Sequence, residues 1–294
     1  MYLGIEIGGT KLQLAVSSGE SSGIVELQRR DVDRSHGANG ILQQISEVGS
    51  QLVAKHNVQA IGVGFGGPVL NNKVITSHHV SGWDGFDFTS WCQSEFGLPV
   101  TVDNDCNVAA LAEATVGAGS GQKRVFYVTV GTGIGGGLVI DGKVYGNDRP
   151  GVAEIGHLRP GTECTDETQT VESISSGSGI ENQYRLATHN ETAPKSAKQI
   201  ATLAAHGDAT ASGVMANATR TLGWAIAQTV TLTCPEIVVI GGGVSLIGEP
   251  FFAAVRSSFN QYAFRPLRDV TEIVPAQLGE DVVLHGAILL ASSR

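Results

Sequence analysis

The sequence predicts a two-domain α/β protein built from two similar halves. A length of 294 residues fits two ordinary domains. Glycine supplies 39 residues, well above the usual share of about 7%, and is concentrated directly after β-branched runs. A strand, a glycine cluster and a second strand occur around Gly8 and again around Gly131. This repetition indicates a duplicated architecture with a cleft between the halves.

The composition excludes two classes of protein. Apolar residues make up 41% and charged residues 16%, which differs from the composition of disordered chains. With 19 basic and 28 acidic residues, the net charge is −9. A nucleic-acid backbone would be repelled by such a surface. We therefore expect a folded protein without a nucleic-acid partner.

The sequence also bears on location. No basic leader precedes Leu3, and no segment holds the ~18 uninterrupted apolar residues of a membrane span. The four cysteines have no paired spacing, which is typical of a reducing cytosol; they are Cys92, Cys106, Cys164 and Cys234. We expect a cytoplasmic protein that has no membrane contact.

Hydrophobic periodicity predicts the elements of the first half in the order β-β-β-α-β, followed by α-β-α. The expected strands cover 3–7, 12–16, 24–29, 60–64 and 100–102, and the expected helices cover 41–53, 88–96 and 108–116. Gly97 and Gly117 would end the second and third of these helices.

The second half repeats the opening pattern and then becomes helical. Strands are expected at 125–130, 137–141, 143–145 and 237–240, and helices at 210–232 and from about 282. Ser196 and Gln199 form a capping box, Asp208 can cap the helix at 210–232, and Pro250 suits a first helical turn.

A glycine pattern between Gly131 and Gly136 matches the dinucleotide-binding fingerprint. That fingerprint needs a helix directly after the glycines, so that the helix N-terminus faces a pyrophosphate. Here the residues after the glycines predict a hairpin with a turn at Asp141 and Gly142. We therefore reject a Rossmann dehydrogenase.

The two glycine turns favour phosphate binding. One turn contains Gly8, Gly9 and Thr10, and the other contains Gly131 and Thr132. Either turn alone is typical of a tight hairpin that needs positive φ. Because the pattern occurs in both halves, we interpret the turns as two sets of backbone N–H groups that hold a nucleotide between the domains.

Three polar residues, Asp103, Asn104 and Asp105, follow a predicted strand and precede a predicted helix. Ligands bind at such strand ends in open α/β sheets. We predict that Asp105 is the general base for a hydroxyl group and that Asn104 orients the same substrate. Asp103 or Asp105 could alternatively serve as the helix cap.

A fourth motif contains Glu154 and His157 three residues apart, a spacing that by itself is typical of a solvated pair. Together the motifs resemble the ROK family (repressors, open reading frames and kinases), which are sugar kinases within the actin-like, hexokinase-like ATPase superfamily. The matching segments are 5–11, 103–113, 131–137, 154–157 and 241–243.

The resemblance implies a two-domain, actin-like ATPase fold of the duplicated ribonuclease H type with an interdomain cleft. The small domain would comprise residues 1–117 and the C-terminal helix 282–294, and the large domain residues 118–281. It also implies an ATP-dependent kinase that uses Mg²⁺ and transfers the γ-phosphoryl group to a hexose, at the 6-hydroxyl of glucose or a related sugar. On general grounds we expect a homodimer.

The resemblance also assigns site residues. Asp105 matches the catalytic base. The residues that match sugar-binding positions are Gly66, Gly67, Asn104, Glu154, His157 and Glu172. The residues that match nucleotide-binding positions are Gly8, Gly9, Thr10, Lys11, Gly131, Thr132, Gly133, Gly241 and Gly242.

Three departures from the family pattern bear on metal and sugar. Glu6 replaces an aspartate, which affects the placement of Mg²⁺, and His79 replaces an asparagine, which affects the choice of sugar. The family's zinc site uses the motif histidine and three cysteines, whereas only Cys164 follows His157 in this stretch. A structural zinc site needs four ligands, so we expect no zinc.

Two alternatives stay open. A polyphosphate-dependent glucokinase would be expected to have a basic groove, which the charge of −9 opposes. A non-enzymatic sugar sensor would be expected to lose the base, yet Asp105 is present. The hexose also stays open, because the same ligands suit glucose, mannose, fructose or an N-acetylated sugar.

Overall fold

The computed structural model describes residues 1–19, 23–32, 34–77, 80–146, 148–149, 151–189 and 195–293. His79, which the sequence predicts to affect sugar choice, lies outside the described residues. The strands are β1 (Tyr2–Ile7), β2 (Lys11–Ser17), β3 (Glu26–Asp31), β4 (Ala60–Phe65), β5 (Val69–Leu70), β6 (Lys73–Val74), β7 (Val100–Asn104), β8 (Arg124–Val130), β9 (Ile134–Ile140), β10 (Lys143–Val144), β11 (Ile237–Gly241) and β12 (Glu272–Pro275). The helices are α1 (Gly37–His56), α2 (Phe88–Phe96), α3 (Asp105–Val116), α4 (Val171–Ser175), α5 (Gly177–Thr188), α6 (Ala197–Ala205), α7 (Ala209–Thr233), α8 (Glu249–Tyr262) and α9 (Val282–Ser292).

The chain forms two compact units. Unit 1 contains Met1–Gly121, Gly142–Val152 and Glu280–Arg294, and unit 2 contains Gln122–Asp141 and Ala153–Gly279. The segment Gly142–Val152, which the sequence analysis assigned to the large domain, belongs to unit 1. The division into compact units does not test the predicted domain boundaries, after residues 117 and 281, which therefore stay predictions.

The sheet of unit 1 has the strand order β3-β2-β1-β4-β7. β2 runs antiparallel to β1, whereas β4 is parallel to β1 and β7 is parallel to β4. All six residues of β4 are buried, as expected for a parallel strand that is covered on both faces. On α1, buried Ile41, Ile45, Val48 and Leu52 recur at helical spacing, as the sequence predicts.

Helix α9 packs directly on this sheet because glycines remove the side chains between them. A Cβ atom on Gly62 in β4 would lie 1.8 Å from the carbonyl oxygen of Ala287. A Cβ atom on Gly286 in α9 would lie 1.9 Å from the carbonyl oxygen of Val108 in α3. Backbones therefore approach each other at both places, and α9 fixes the distance between α3 and the sheet.

Unit 2 contains a second sheet in which β9, β8, β11 and β12 are neighbours in that order. Again a hairpin is followed by parallel strands, since β9 is antiparallel to β8 while β11 is parallel to both β8 and β12. Each unit therefore begins with a hairpin and adds parallel strands, which agrees with the predicted duplication.

Local signals in unit 2 are confirmed. Asp208 caps α7 by accepting a hydrogen bond from the N–H of Ala211 at 2.7 Å. Ser196 and Gln199 form the predicted capping box at α6, and Pro250 lies in the first turn of α8. Among the described residues, the structure contains no helix with the length and apolar character that crossing a membrane requires.

One predicted boundary is wrong. The sequence analysis places the strand after the second glycine cluster at 137–141, but β9 begins at Ile134, so Gly135, Gly136 and Gly137 lie within the strand. Close packing explains Gly136, since a Cβ atom there would lie 2.4 Å from the carbonyl oxygen of Ala153. Gly136 thus makes room for neighbouring backbone, and all three glycines lie in the strand and not in the turn.

The packing of α9 predicts that Gly286→Ala destabilises the protein. The added methyl group would meet the backbone of Val108, and overpacking of this kind costs about 1–3 kcal/mol. Gly213→Ala is the matched control, because Gly213 is an exposed helical residue with open space around its Cβ position. There alanine should be neutral or stabilise by up to about 1 kcal/mol. Urea unfolding measures both changes, and equal free energies of unfolding for the two variants would contradict the proposed close contact.

Candidate functional site

Three strands of unit 1 end beside one another. The parallel register pairs Ile7 at the end of β1 with Phe65 at the end of β4, and Phe65 with Asn104 at the end of β7. The carboxyl ends of parallel strands form the usual ligand-binding edge of an α/β sheet. The predicted site residues Gly8, Gly66 and Asp105 each directly follow one of these ends, so the topology brings them to one edge.

The turn after β4 connects these strand ends. The N–H of Gly66 donates to the carbonyl oxygen of Ile7 at 3.0 Å. A Cβ atom on Gly66 would lie 3.6 Å from Oδ2 of Asp105 and 3.9 Å from Cα of Gly8. The structure therefore places the backbone of Gly66 between the carboxylate of Asp105 and the first glycine turn.

Asn104 is the residue that caps α3. Its Oδ1 accepts from the N–H of Cys106 at 2.9 Å and from the N–H of Asn107 at 3.4 Å. Its Nδ2 donates to the carbonyl oxygen of Gly67 at 3.1 Å. The alternative in which Asp103 or Asp105 is the cap is therefore wrong, because β7 continues through Asn104 and the helix begins one residue later.

Asp105 lies in the first turn of α3. Its Oδ1 accepts from the N–H of Cys106 at 2.8 Å, and its Oδ2 lies on the side of Gly66. A carboxylate is favoured at a helix N-terminus, where the backbone N–H groups give a partial positive charge. The side chain is only partly buried, so it can accept a proton from a substrate hydroxyl.

Asp103 lies in β7, directly before the capping residue Asn104. Its Oδ1 accepts from the N–H of Asn104 at 2.7 Å and from Nδ2 of Asn107 at 2.9 Å. Burial raises the pKa of Asp103, and the hydrogen bonds from Asn107 and Asn104 oppose that rise. Asn107 was not predicted as a site residue, although it lies in the same motif, four residues after Asp103.

The first glycine turn closes the hairpin of β1 and β2. The N–H of Gly8 donates to the carbonyl oxygen of Lys11 at 2.9 Å, and the neighbouring Thr10 is exposed. The side chain of Lys11 points back to Glu6, with 3.5 Å between Nζ and Oε1. The predicted nucleotide-binding lysine is therefore an ion-pair partner of Glu6.

Glu6 and Gln13 form a cross-strand pair that the sequence analysis did not predict. They lie opposite each other in the register of β1 and β2, and Nε2 of Gln13 donates to Oε2 of Glu6 at 2.7 Å. Burial raises the pKa of Glu6, whereas Lys11 and Gln13 lower it. Gln13 is fully buried, so this pair sets the position of the Glu6 carboxylate.

The donor type at this edge suits magnesium. Mg²⁺ in nucleotide sites takes one or two carboxylates together with phosphate oxygens. Glu6 supplies a carboxylate of this type next to the first glycine turn, but its oxygens also contact Lys11 and Gln13. The Glu6 carboxylate therefore fits as one ligand of a magnesium ion that is bound together with a nucleotide. Its oxygens also keep their contacts with Lys11 and Gln13.

The second glycine turn, in unit 2, rests on the start of α5. The N–H of Gly131 donates to the carbonyl oxygen of Gly133 at 2.9 Å. The N–H of Gly177 donates to the carbonyl oxygen of Gly131 at 2.7 Å, and the N–H of Ser178 to that of Thr132 at 3.4 Å. These contacts with α5 were not predicted from the sequence. The run of small residues at 176–179 is the feature that could have indicated a close approach there.

Glu172 contacts the same turn. Its Oε2 accepts from the N–H of Ile134 at 2.7 Å, and a Cβ atom on Gly133 would lie 2.5 Å from that oxygen. The structure therefore brings together Glu172, a predicted sugar ligand, and Gly133, a predicted nucleotide ligand. A side chain at position 133 would displace the carboxylate.

Glu154 and His157 lie at the surface of unit 2. Nε2 of His157 is 3.9 Å from Oε2 of Glu154, and the side chains are 70% and 42% exposed, respectively. Burial raises the pKa of Glu154, Glu172 adds to that rise, and His157 opposes it. Gly156 packs on β9, since a Cβ atom there would lie 2.1 Å from the carbonyl oxygen of Ile134. This contact positions Glu154 and His157 next to the strand that follows the glycine turn.

Gly241 and Gly242 lie beside the end of β8. β11 ends at Gly241, and Gly242 has a φ of 85°. A Cβ atom on Gly242 would lie 2.6 Å from the carbonyl group of Val130. Both the positive φ and the close approach require glycine, and they place this turn against the strand that precedes Gly131.

Cys164 is engaged in a local hydrogen bond. Its thiol donates to the carbonyl oxygen of Gln169 at 3.1 Å. In the part of the chain that the structure describes, no group of three or more His, Cys, Asp or Glu side chains could hold a metal ion.

Comparisons with known proteins agree on one family. A model of the ROK family matches residues 2–294. A glucokinase from Halalkalibacterium halodurans is 32% identical over 97% of this chain and 93% of the relative. An N-acetylmannosamine kinase from Escherichia coli O1:K1 is 31% identical over 99% of this chain and 98% of the relative. The solved structure of a ROK family glucokinase from Streptomyces griseus, in complex with glucose and AMPPNP, has a TM-score of 0.81 and 28% identity, covering 100% of this chain and 99% of that one.

The surroundings of Cys164 lead to a prediction about zinc. We expect the purified protein to bind no stoichiometric zinc, because His157 and Cys164 supply two of the four ligands that a structural site needs. We also expect activity to survive a chelator once Mg²⁺ is restored. Elemental analysis checks the first expectation, with Cys164→Ser as the matched variant. One tightly bound zinc ion per chain that Cys164→Ser loses would contradict the prediction and point to carboxylate ligands such as Asp166 or Glu167.

Proposed function

Because the chain belongs to the ROK family and has its actin-like ATPase fold, we propose that it is an ATP-dependent hexose kinase. The acceptor is the 6-hydroxyl of glucose or of a related hexose. The observation that carries this proposal is the carboxylate of Asp105, which lies beside the Gly66 turn at the ligand edge of the sheet. Asn104 caps the helix, so Asp105 is not needed for capping.

The proposed reaction uses Asp105 as the base. Its carboxylate takes the proton of the sugar hydroxyl, and the hydroxyl oxygen forms a bond to the γ-phosphorus of ATP. The bond between that phosphorus and the bridging oxygen of the β-phosphate breaks, and ADP leaves with the electron pair. The transition state is loose and highly charged, so the protein contributes mainly alignment and charge stabilisation.

Candidate hydroxyl-binding groups for the sugar are assigned for each unit by itself. In unit 1, Asn104 and the backbone of Gly66 and Gly67 lie next to Asp105. In unit 2, Glu154, His157 and Glu172 supply carboxylate and imidazole groups. The glucokinase and N-acetylmannosamine kinase relatives support a hexose or an N-acetylated hexose as the substrate class.

The glycine turns are assigned to the nucleotide. Gly8, Gly9 and Thr10 in unit 1, and Gly131, Thr132 and Gly133 in unit 2, would direct backbone N–H groups and hydroxyls at phosphates. Gly241 and Gly242 would lie under the adenosine. Mg²⁺ bound with the nucleotide would neutralise phosphate charge, and the Glu6 carboxylate in β1 would serve as one of its ligands. The AMPPNP bound to the Streptomyces griseus glucokinase supports ATP as the donor.

The hexose panel is the first test of the proposal. Release of ADP is measured with Mg²⁺ and ATP against glucose, mannose, fructose, N-acetylglucosamine and N-acetylmannosamine, and polyphosphate replaces ATP in a parallel series. We expect turnover with at least one hexose and ATP, and none with polyphosphate. Turnover only with polyphosphate would contradict the proposed donor. Sugar binding by calorimetry without turnover would favour a sensor.

Asp105→Ala tests the base. We expect kcat to fall by ~10²-fold to 10⁴-fold, the scale of general base catalysis, while nucleotide affinity changes little. The free energy of unfolding should fall by less than about 1 kcal/mol, the scale of a charge at a helix N-terminus.

Asp208→Ala is the matched control for Asp105→Ala, since Asp208 is an aspartate that does cap a helix. It should lose ~0.5 to 2 kcal/mol of stability and keep kcat. Thermal unfolding and kcat are measured on the same preparation. An Asp105→Ala protein with wild-type kcat would exclude Asp105 as the base.

A further inference from the structure

The segment that carries Asp105 is held by polar side chains on two sides. On one side Asn104 joins the Gly67 carbonyl to the first N–H groups of α3. On the other side Asp103, the last residue but one of β7, is joined to Asn107 in the first turn of α3. Both connections enclose Asp105 in sequence, because Asn104 bonds to Cys106 and Asp103 bonds to Asn107.

The contact between Asp103 and Asn107 spans the junction of strand and helix. One carboxylate oxygen of Asp103 receives two hydrogen bonds, at 2.7 Å from the N–H of Asn104 and at 2.9 Å from Nδ2 of Asn107. The first bond orients the peptide that precedes Asn104, and the second fixes the side of α3 that carries Asn107. One carboxylate therefore links the peptide before Asn104 to Asn107 in the first turn of α3, and Asp105 lies between these two points in the chain.

Asn107 makes this contact at a cost. It is only 9% exposed, and its Oδ1 atom has no hydrogen-bond partner among the described residues. Turning the amide around would set Oδ1 against a carboxylate oxygen of Asp103, so the amide keeps its NH₂ group on Asp103. An unsatisfied buried acceptor lowers stability, so Asn107 keeps its hydrogen bond to Asp103 although the other end of its amide has no partner among the described residues.

Helix capping does not explain the contact. Oδ1 of Asn104 already accepts from the N–H groups of Cys106 and Asn107, so the first turn of α3 has its cap without Asp103. The contact adds restraint at one place only, the junction that presents Asp105 to Gly66.

We propose that Asp103 and Asn107 are positioning residues that hold the carboxylate of Asp105 for proton abstraction from the substrate hydroxyl. This inference rests on the function proposed above, and it assigns a role to two residues that the proposed reaction does not itself use. A small displacement of a catalytic group lowers the rate of the chemical step more than it lowers substrate binding.

The test compares Asn107→Ala, Asp103→Ala and Asp103→Asn with the wild-type protein. The two alanine variants should lose ~10-fold or more in kcat while the KM values for hexose and ATP change by less than about 2-fold. Asp103→Asn keeps a carbonyl oxygen in the same place for both donors, so it should recover most of the wild-type kcat. Should Asp103→Ala fail to fold, Asn107→Ala and Asp103→Asn still test the proposal.

Thr115→Ala is the matched control. Thr115 lies near the other end of α3 and donates its hydroxyl to the carbonyl oxygen of Leu111 at 2.7 Å. Its substitution also removes one side-chain hydrogen bond from α3, and kcat should be unchanged. A lower melting temperature with unchanged kcat in Asn107→Ala would overturn the proposal. A hexose KM that rises by the same factor as kcat falls would also overturn it, because the contact would then act on binding.

The same experiment separates failure of this inference from failure of the proposed function. An active wild-type protein whose Asn107→Ala variant keeps full kcat overturns only the positioning role. A wild-type protein that phosphorylates no hexose in the panel overturns the proposed function and this inference with it.

Discussion

The contact of α9 with the sheet of unit 1 is the constraint on which the position of the candidate base depends. At Gly62 and Gly286 there is room for hydrogen atoms only, so α9 touches the sheet on one side and α3 on the other. Packed backbones of this kind cannot be displaced gradually, because any shift would create overlap or a cavity. The distance from α3 to the ends of β1 and β4 is set by this packing.

The ends of the strands are fixed in turn by the core beneath them. Phe65, the last residue of β4, packs edge-on against Trp83 with ring centroids 5.1 Å apart. Directly after it, Gly66 and Gly67 form the turn that meets Asp105 and Asn104. Apolar packing therefore fixes the backbone of the site, and short-range polar contacts then orient its side chains. A site built on rigid elements loses less of its geometry to thermal motion.

The sequence is sufficient to predict the elements of the fold and the segments of the site, but not their pairwise contacts. Continuous apolar runs and capping residues are local signals, and they predict β4, α6 and α7 well. The pair of Glu6 and Gln13 depends on the register between β1 and β2, which no single strand reveals. The helix cap was expected at Asp103 or Asp105 in the alternative interpretation, because three residues that can all cap a helix are adjacent, and only the length of β7 decides among them. Gly136 was predicted to precede the strand. It lies within β9, and glycine is needed there because the backbone of Ala153 approaches it closely.

The order Asp103, Asn104, Asp105 follows from the chemistry of three different tasks. The cap must offer an acceptor to helix N–H groups and a donor to the Gly67 carbonyl, and an amide has both, whereas a carboxylate has no donor. The proposed base, Asp105, is a carboxylate, and the first helical position gives it favourable backbone dipoles. Asp103 accepts two hydrogen bonds with one oxygen, which a carboxylate does more strongly than an amide. Exchange of Asn104 with either neighbour would leave the Gly67 carbonyl without its donor, so the three residues are not interchangeable although each is polar and similar in size.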